Sequence, residues 1–495
     1  MSTKTRVIVI GGGIGGMAAA AELGSLGYEV ILLEKNSKLG GKLNEIEADG
    51  YRFDTGPSLI TMPEVLEELF DRTGLPESDR PQLVPLDPLC RYFWQDGTQF
   101  DCSGSLPKTL SEIHRFFPDD ETGFVKFLGH SADLYSKTAE TFLFNPLHQL
   151  SDFKSLKWSD VFQINATKTV SDVVDKYVQS RYLRQFFKRF TTYNGSSPYQ
   201  APATLNVIPY VELAMGGWYV RGGLYRVAES LEKALEVNGV TIKTDFEVTS
   251  VRVNNGNITA VESKSGEVLD TDILVANSDA TETYLNLLPE KSIPGSARRK
   301  IRRLEPSCSG FVLLLGTDKQ WDMLDHHNIF FSDDYQEEFD DIFSKKQFPA
   351  DPTIYVANSS ATDAQHAPED GSNLFVLINA PYLHSGLDPA ESESYAESVI
   401  RMLEDRGLTG LSDHIRYQKI IDPHLFYEWY GSNKGSIYGT SSNSKTAAFK
   451  RPRNKSPYID NLYLCGGSTH PGGGIPLVLL SARHAVNAVT RSDRG

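Results

Sequence analysis

Glycine-rich segments near both ends of the chain contain the residues that most directly suggest chemistry. Near the N-terminus, Gly11, Gly13 and Gly16 have the spacing GxGxxG. The first glycine of that motif forms a tight turn, the second lets a pyrophosphate approach the backbone, and the third lets a helix pack on a strand. Glu34 follows 18 residues after Gly16, and a carboxylate there binds a ribose diol and repels a 2′-phosphate. The pattern predicts a site for a dinucleotide whose adenosine ribose is unphosphorylated.

The second segment reads GSTHPGGGIPLVLLSA over residues 467–482. Glycines up to Gly474 let the backbone approach a ligand closely, since no Cβ intervenes. Ile475 and Pro476 begin an apolar run of helical length, and proline fits the first helical turn, where its missing N–H is not needed. Residues 459–467 read IDNLYLCGG, which predicts a strand that ends in glycines. We therefore expect a helix N-terminus that faces a nucleotide site.

These motifs need strands and helices to position them. Val7–Ile10 is a short continuous apolar run, typical of a buried parallel strand. An alanine-rich helix is predicted over Ile14–Leu26, and the run YEVILLE, which ends at Glu34, predicts the second strand. Residues 240–279 predict a series of alternating strands. The pattern predicts an α/β fold.

The segment after Glu34 continues with Lys35, then with Gly40-Gly41-Lys42 and Asp54-Thr-Gly56-Pro57-Ser58. A second glycine pair, a basic residue and a DxGP turn in this order resemble the flavoprotein family of amine oxidases and carotenoid desaturases. The resemblance implies a Rossmann-like FAD-binding domain of the amine oxidase/GDI type with an inserted α+β substrate domain. It also implies that FAD is bound non-covalently, and that the last helix points at the pyrimidine end of the flavin.

The same resemblance implies that the backbone of Val248 contacts the adenine, and that the segment DILVANSD, which ends at residue 279, re-enters the first sheet. The residues expected to bind FAD are Gly11, Gly13, Ile14, Gly15, Gly16, Glu34, Lys35, Gly41, Lys42, Gly56, Pro57, Ser58, Val248, Gly466, Gly467, Gly474, Ile475 and Pro476.

The chain is expected to fold into two discontinuous domains. Residues 1–85, 216–300 and 455–495 are predicted to form the FAD-binding domain, and residues 86–215 and 301–454 a substrate or lid domain. A chain of 495 residues exceeds one ordinary core.

Composition narrows the classes of partner. The net charge of −15 argues against nucleic acid, which needs a basic surface. The apolar residues of the run VIVIGGG are followed directly by glycines, a pattern unlike that of a secretory signal. No apolar stretch of the sequence is long enough for a membrane-spanning helix. The four cysteines have no CxxC spacing, which indicates buried free thiols in a reducing compartment. We expect a cytoplasmic protein that associates peripherally with a membrane.

Other patterns favour structural roles. No metal is expected, because no HExxH or HxxxH pattern occurs, and His326-His327 is expected to be a partly exposed pair without a third ligand. Arg184, Lys188 and Arg189 lie among phenylalanines, a pattern better explained by a helix with one apolar face than by stacking on nucleic acid.

Motifs along the whole chain resemble the bacterial carotenoid desaturases and oxidases related to phytoene desaturase. The segments TYNGSSPYQ, HHNIFFSDDY and HPGGGIP resemble desaturases that act at C-3,4 of 1-hydroxycarotenoids. The segments RRLEPSCSGFVLLLG, DPTIYV and SNKGSIYG resemble enzymes that oxidise the terminal methyl of C30 diapocarotenoids. His470 and Ile475 replace residues usual in that oxidase group and favour desaturation of an acyclic C30 or C40 carotenoid, with terminal-methyl oxidation as the alternative.

The resemblance implies that hydride leaves an allylic carbon for the flavin, and that oxygen or a quinone reoxidises it. His470 is the candidate proton acceptor, although a structural role in the turn is equally compatible with the pattern. Residues 141–164 mix aromatic and lysine side chains and are a candidate contact with a membrane surface. An amine oxidase and a non-catalytic prenyl-binding protein are less favoured functions. An amine oxidase lacks support because the usual motif for a covalently attached flavin is missing, and a prenyl-binding protein would not need both flavin motifs.

Overall fold

The computed structural model describes residues 4–145, 168–444 and 450–493. The strands in these ranges are β1 Arg6–Ile10, β2 Glu29–Leu33, β3 Glu45–Ala48, β4 Tyr51–Asp54, β5 Leu83–Pro85, β6 Cys90–Phe93, β7 Gln99–Cys102, β8 Trp218–Val220, β9 Thr241–Lys243, β10 Val248–Asn254, β11 Asn257–Ser263, β12 Val268–Asp270, β13 Ile273–Ala276, β14 Ser309–Thr317, β15 His327–Phe330, β16 Ile354–Asn358, β17 Ser372–Ala380, β18 Ile415–Ile421 and β19 Leu462–Leu464.

The α-helices are α1 Ile14–Ser25, α2 Pro63–Thr73, α3 Leu106–Phe116, α4 Glu121–Ala139, α5 Val170–Tyr177, α6 Arg181–Lys188, α7 Ile208–Met215, α8 Arg226–Val237, α9 Ala280–Glu282, α10 Gly295–Arg302, α11 Tyr335–Asp340, α12 Glu391–Asp405, α13 Leu411–His414, α14 Pro423–Tyr430 and α15 Ile475–Asp493. Among these helices, none combines the length and the apolarity needed to cross a lipid bilayer.

A parallel sheet in the order β19-β13-β1-β2-β9 contains the N-terminal motif. Val7 of β1 lies opposite Val30 on one side and Ile273 on the other. The sheet therefore draws strands from three widely separated stretches of chain, and β13 is the predicted re-entering strand. The expected α/β class is confirmed, whereas the boundaries of the two domains stay a prediction.

The apolar run of β1 is buried on both faces. Val7 and Val9 belong to the same core as the alanines of α1, which packs against α15 and α8. Ile8 and Ile10 belong to a different core, which contains Val251 and other residues of the antiparallel sheet β10-β11-β12. Because both faces of such a strand are buried, its sequence is a continuous apolar run in which apolar and polar residues do not alternate.

A second, mixed sheet in the order β18-β14-β17-β16-β15-β6-β7 forms most of the inserted part. Its neighbours are antiparallel except for β15 and β6. Phe311 and Leu313 of β14 pack in one core with α12, whereas Val312 of the same strand belongs to the core on the other face. Residues 90–102 form a hairpin of the antiparallel strands β6 and β7.

The expectation that His326-His327 is a partly exposed pair is wrong. Both histidines are buried, since they lie at the start of β15 in the interior of the mixed sheet. The helix expected around Arg184 and Lys188 is present as α6, and Lys188 and the following Arg189 are buried, paired with the carboxylates of Asp175 and Glu212 respectively. The four cysteines are buried and free, as predicted.

Gly16 offers a direct test of how closely α1 packs against the turn that follows β1. An added Cβ would lie 2.0 Å from the carbonyl oxygen of Gly11 and 3.0 Å from the Cβ of Asn277. We expect Gly16→Ala to destabilise the protein by about 1–3 kcal/mol, the usual range for overpacking, and to lower the melting temperature followed by circular dichroism.

Gly129 in α4 is the matched control, because its added Cβ would meet no atom within 4 Å. Gly129→Ala should melt at or above the temperature of the unchanged protein, since alanine favours a helix. Equal melting temperatures for the two variants would contradict the packing role of Gly16.

Candidate functional site

A cavity of about 980 Å³ opens where strands of the parallel sheet end. Its wall includes Gly11 after β1, Glu34 after β2, Asn277 after β13 and Gly467 beyond β19. Ligands of open α/β sheets bind outside the carboxyl ends of the strands. The mixed sheet forms another part of the same wall, so that both parts of the chain enclose one space.

Most of the predicted site residues meet at this cavity. Those in its wall are Gly11, Gly13, Ile14, Gly15, Glu34, Lys35, Gly41, Lys42, Gly56, Pro57, Ser58, Val248, Gly467, His470, Gly474, Ile475 and Pro476.

Gly16 and Gly466 are not part of the wall and lie behind it. Gly16 permits the contact between α1 and the first turn, and Gly466 has a φ of 94° and leaves room for Asn277. Their place is consistent with a supporting role, and direct contact of either residue with the cofactor stays a prediction.

The carboxylate of Glu34 is buried beside the first glycine turn. One oxygen accepts a hydrogen bond of 2.7 Å from the N–H of Gly12, and the other accepts one of 2.9 Å from the N–H of Asn36. Backbone donors of this kind stabilise the charged carboxylate and fix its orientation. The geometry therefore provides a charged acceptor at the position expected for a ribose.

Asn277 was not among the predicted site residues, although it holds the glycine turn. Its Nδ2 donates to the carbonyl oxygens of Gly11 at 3.2 Å and Gly13 at 3.4 Å. The sequence signal was a polar residue directly after the apolar strand β13, and such a position at the edge of a parallel sheet commonly faces a site.

Two cations, the half-buried Lys42 and the buried Arg451, lie in the wall. Lys42 Nζ donates to the carbonyl oxygens of Ser436 and Ile437 at 2.9 and 2.6 Å. Burial is the main cause that lowers its pKa, to about 8, against the opposing charge of Asp279. A cation held only by neutral carbonyl groups is incompletely compensated and favours an anionic ligand.

Arg451 is held in the same way. Its guanidinium donates to the carbonyl oxygens of Gly467 at 2.9 Å and Thr440 at 3.1 Å. Burial lowers its pKa to about 10, and Asp279 again opposes this effect. Sequence reasoning missed Arg451 because it lies in a basic stretch that resembles an ordinary surface loop.

The last helix begins at the cavity, as predicted. Gly474 has a φ of 100°, and its missing Cβ leaves open space toward the cavity. The N–H of Val478 donates to the carbonyl oxygen of Gly474, which places the first turn of α15 directly after this glycine. Unpaired N–H groups and the helix dipole make this end favourable for negative charge.

His470 lies in the wall with its ring buried. Its Nε2–H donates to the carbonyl oxygen of Asn145 at 3.1 Å, and its ring stacks on that of His484 with centroids 5.7 Å apart. These contacts hold the turn before α15 against Asn145 on one side and against α15 itself, which carries His484, on the other. A catalytic role of His470 stays a prediction.

Apolar side chains line much of the remaining wall of the cavity. They come from both stretches of the inserted part and include Phe142, Leu143, Leu205, Ile208, Val211, Val312, Ile329, Phe375, Leu377 and Phe426. Within the described residues, no cluster of three or more His, Cys, Asp or Glu side chains could hold a metal ion. The site therefore joins a dinucleotide cradle to an apolar chamber.

Comparison with known proteins identifies the family to which a chain with this site belongs. The sequence profile described as flavin containing amine oxidoreductase matches residues 14–490. The chain belongs to the flavin-containing amine oxidoreductase family. The predicted resemblance to FAD flavoproteins is thereby confirmed, and the cofactor is FAD.

Relatives and solved structures agree with this assignment. The chain is 37% identical to a 4,4′-diapolycopene oxygenase of a Methylomonas species, covering 97% of this chain and 96% of that protein. It is 36% identical to a 4,4′-diaponeurosporene oxygenase of Staphylococcus haemolyticus, covering 99% and 97%. Its fold is similar to that of an oxidoreductase from Methanosarcina mazei, with a TM-score of 0.68, 14% identity and coverage of 98% and 100%.

The residues of this flavoprotein fit FAD. Lys42 and Arg451 supply positive charge without fully compensating carboxylates, which suits a diphosphate. Glu34 would supply the acceptor for a ribose, and the first turn of α15 would supply donors for the electron-accepting end of a flavin. When bound, FAD supplies a two-electron acceptor for hydride.

Replacement of Glu34 should weaken binding of FAD. Glu34→Ala removes a charged acceptor worth about 1.5–3 kcal/mol, so we expect the Kd to rise about tenfold to a hundredfold. The measurement is titration of the FAD-free protein with FAD, followed by quenching of flavin fluorescence.

Glu29→Ala is the matched control, because Glu29 lies at the exposed start of β2 and pairs with Arg6. It should bind FAD as the unchanged protein does. Unchanged affinity in Glu34→Ala would contradict the proposed contact with the ribose.

Proposed function

We propose that this flavoprotein oxidises an acyclic carotenoid, with terminal-methyl oxidation of a C30 chain as the first candidate reaction. The observation that carries the proposal is the single cavity in which the dinucleotide cradle and the apolar chamber are continuous. A long hydrocarbon in the chamber would lie with one part beside the flavin site. Such a substrate needs apolar walls and no charged anchor near the reacting carbon.

The names of the relatives support terminal oxidation, since two proteins similar over their whole length are diapocarotenoid oxygenases. Desaturation is the second candidate. It is favoured by His470 and Ile475, which lie in the turn and the helix start beside the cavity and differ from the residues usual in the oxidase group. The two reactions require different parts of the polyene at the flavin site, a chain end in one case and an internal CH2–CH2 in the other.

The protein contributes positioning and exclusion of water. Side chains such as Phe142, Val312 and Leu377 surround the chamber and keep a polyene desolvated. The first turn of α15 presents N–H groups where negative charge develops on hydride transfer. The proposed terminal electron acceptor is oxygen or a quinone.

Expression in a host that makes acyclic C30 carotenoids distinguishes the two reactions. We expect products that gain an oxygen atom and lose two hydrogens at a chain end, read by mass and absorbance. Products that lose only two hydrogens and absorb at longer wavelength would instead establish desaturation.

An unchanged carotenoid pool would contradict the proposed function. The control is Gly474→Val, which places a branched side chain at a positive φ beside the cavity. This variant should give no product if the start of α15 forms part of the site.

We further propose that the protein associates with a membrane surface, where its substrate dissolves. Of the candidate contact over residues 141–164, only the part up to Asn145 lies within the described residues, and 146–164 lie outside them. Phe142 and Leu143 line the cavity, whereas Phe144 is 39% exposed. An exposed aromatic ring next to residues of the cavity wall suits an entrance that faces lipid.

Phe144→Glu should lower the fraction of protein that floats with liposomes of mixed anionic and zwitterionic phospholipid, because a carboxylate disfavours the interface. Val237→Glu is the matched control, since Val237 is 58% exposed at the end of α8 and does not line the cavity. Equal flotation of the two variants would contradict the contact at Phe144.

A further inference from the structure

A strongly basic helix lies on the surface of this acidic protein. Residues 290–305, which contain α10, include six Lys or Arg and two Glu, whereas the whole chain has a net charge of −15. Four of the cations are exposed, namely Arg299, Lys300, Arg302 and Arg303. Within the described part of the chain, none of the four side chains forms an ion pair or a hydrogen bond. We refer to these four side chains as the basic face of α10.

The opposite side of α10 is fixed to the protein. Ala297 and Ile301 lie one helical turn apart and are buried, and Ile301 belongs to one of the two cores that cover β1. The guanidinium of Arg298 donates to the carbonyl oxygens of Tyr284 at 3.1 Å and Leu285 at 2.6 Å. These contacts hold the helix in place, so the basic face is presented to solvent in a fixed orientation.

The basic face is electrostatically unfavourable within the protein itself. Arg299 precedes Arg302 and Arg303 by three and four residues, and like charges at this spacing destabilise a helix. The dipole of α10 favours positive charge near its C-terminus, but it is equivalent to only about half an elementary charge. The helix therefore carries more positive charge than its own electrostatics favour, which indicates that negative charge comes from outside the chain.

The shape of the basic face favours an extended partner. Its side chains project from the outer surface of a helix, and none of them lines the cavity. Small ligands bind in concave sites, whereas a negatively charged surface can contact cations that are spread along a helix.

Screening by salt allows this contact despite the acidic character of the whole chain. Charges in solution interact over only about 8 Å at physiological ionic strength. When the basic face touches a negatively charged surface, its four cations lie within this distance, whereas carboxylates on the far side of the protein do not. The uneven distribution of charge therefore also fixes which side of the protein approaches the surface.

We propose that the basic face of α10 binds the anionic phospholipids of a membrane surface and orients the protein on it. The inference rests on the proposed function, because a polyene that dissolves in lipid is the reason for this protein to approach a bilayer. It adds the chemistry of the partner, a layer of negatively charged phosphate headgroups. It also adds a second, electrostatic contact that is separate from the apolar contact at Phe144.

Flotation of the FAD-loaded protein with vesicles tests this inference. The vesicles contain either phosphatidylcholine alone or phosphatidylcholine mixed with phosphatidylglycerol, at low salt and at about 1 M salt, where the screening length is about 3 Å. At low salt, we expect the partition coefficient to be at least about tenfold higher for the vesicles with phosphatidylglycerol, since each cation near an anionic surface contributes to binding. At high salt this difference should disappear.

The variant Arg299→Gln/Lys300→Gln/Arg302→Gln/Arg303→Gln removes the four charges and keeps residues that favour a helix. Its partition to the anionic vesicles at low salt should fall at least about tenfold. The variant Arg299→Lys/Arg302→Lys/Arg303→Lys keeps the charges and should keep most of the partition, because attraction to a lipid surface depends on charge. Melting followed by circular dichroism checks that each variant is folded.

The matched control is Lys233→Gln/Lys243→Gln/Lys264→Gln/Lys345→Gln, which changes the net charge by the same amount. Each of these solvent-accessible lysines is already paired with a carboxylate, those of Asp79, Glu267, Glu247 and Asp341 respectively. The control should float as the unchanged protein does.

The possible failures can be told apart. Equal partition of the unchanged protein to both kinds of vesicle overturns the inference and leaves the apolar contact at Phe144 standing. Flotation of the glutamine variant of the basic face at the level of the unchanged protein overturns it too, and leaves an acidic protein as the class of partner that matches the charge. An equal loss in the lysine control overturns it, because net charge alone would then decide. Oxidation of a carotenoid is decided separately, by the products formed in the C30 host.

Discussion

Loops cross at the carboxyl end of the parallel sheet so closely that an added Cβ would collide with backbone. A Cβ on Gly56 would lie 1.9 Å from the carbonyl oxygen of Lys42, and one on Gly41 would lie 2.9 Å from the Cα of Gly13. The close approach brings the first turn, the second glycine pair and the DxGP turn into one wall. The position of the Lys42 charge depends on this arrangement, because Lys42 belongs to a loop that these crossings hold in place.

Charge is handled differently in the two parts of the cavity. In the nucleotide part, Lys42 and Arg451 donate to carbonyl oxygens, and among the described residues Asp279 is the carboxylate that opposes the effect of burial on both, so a diphosphate would complete their compensation. In the apolar part, Arg189 and Glu212 neutralise one another. An uncharged polyene could not compensate a lone buried cation, and the internal pairing of Arg189 with Glu212 removes that conflict.

Local sequence patterns predicted the strands and helices around the first glycine turn, whereas the side-chain pairings of the site depend on tertiary contacts. The segment from β1 to β2 was predictable because a buried apolar run, a GxGxxG turn and an alanine-rich helix each have a recognisable local pattern. The pairing of Arg189 with Glu212 was not, because a basic residue after an amphipathic helix normally faces water and the partner lies on another helix. The roles of Asn277 and Arg451 were not predictable either. Each depends on one side chain that contacts segments far away in sequence, and such contacts leave no periodic pattern in the local sequence.

The reaction of a flavoprotein of this shape depends on where the polyene stops. An apolar wall alone lets a hydrocarbon slide, because dispersion and burial change little when a uniform chain moves by one carbon unit. Under the proposed function, the register of the polyene would therefore depend on the shape of the chamber and on where the chamber ends, and the carbon beside the start of α15 would follow from the length of the chain. The depth of the chamber would then select between an end carbon and an internal one, and no acid–base dyad is needed at the reacting carbon for that choice.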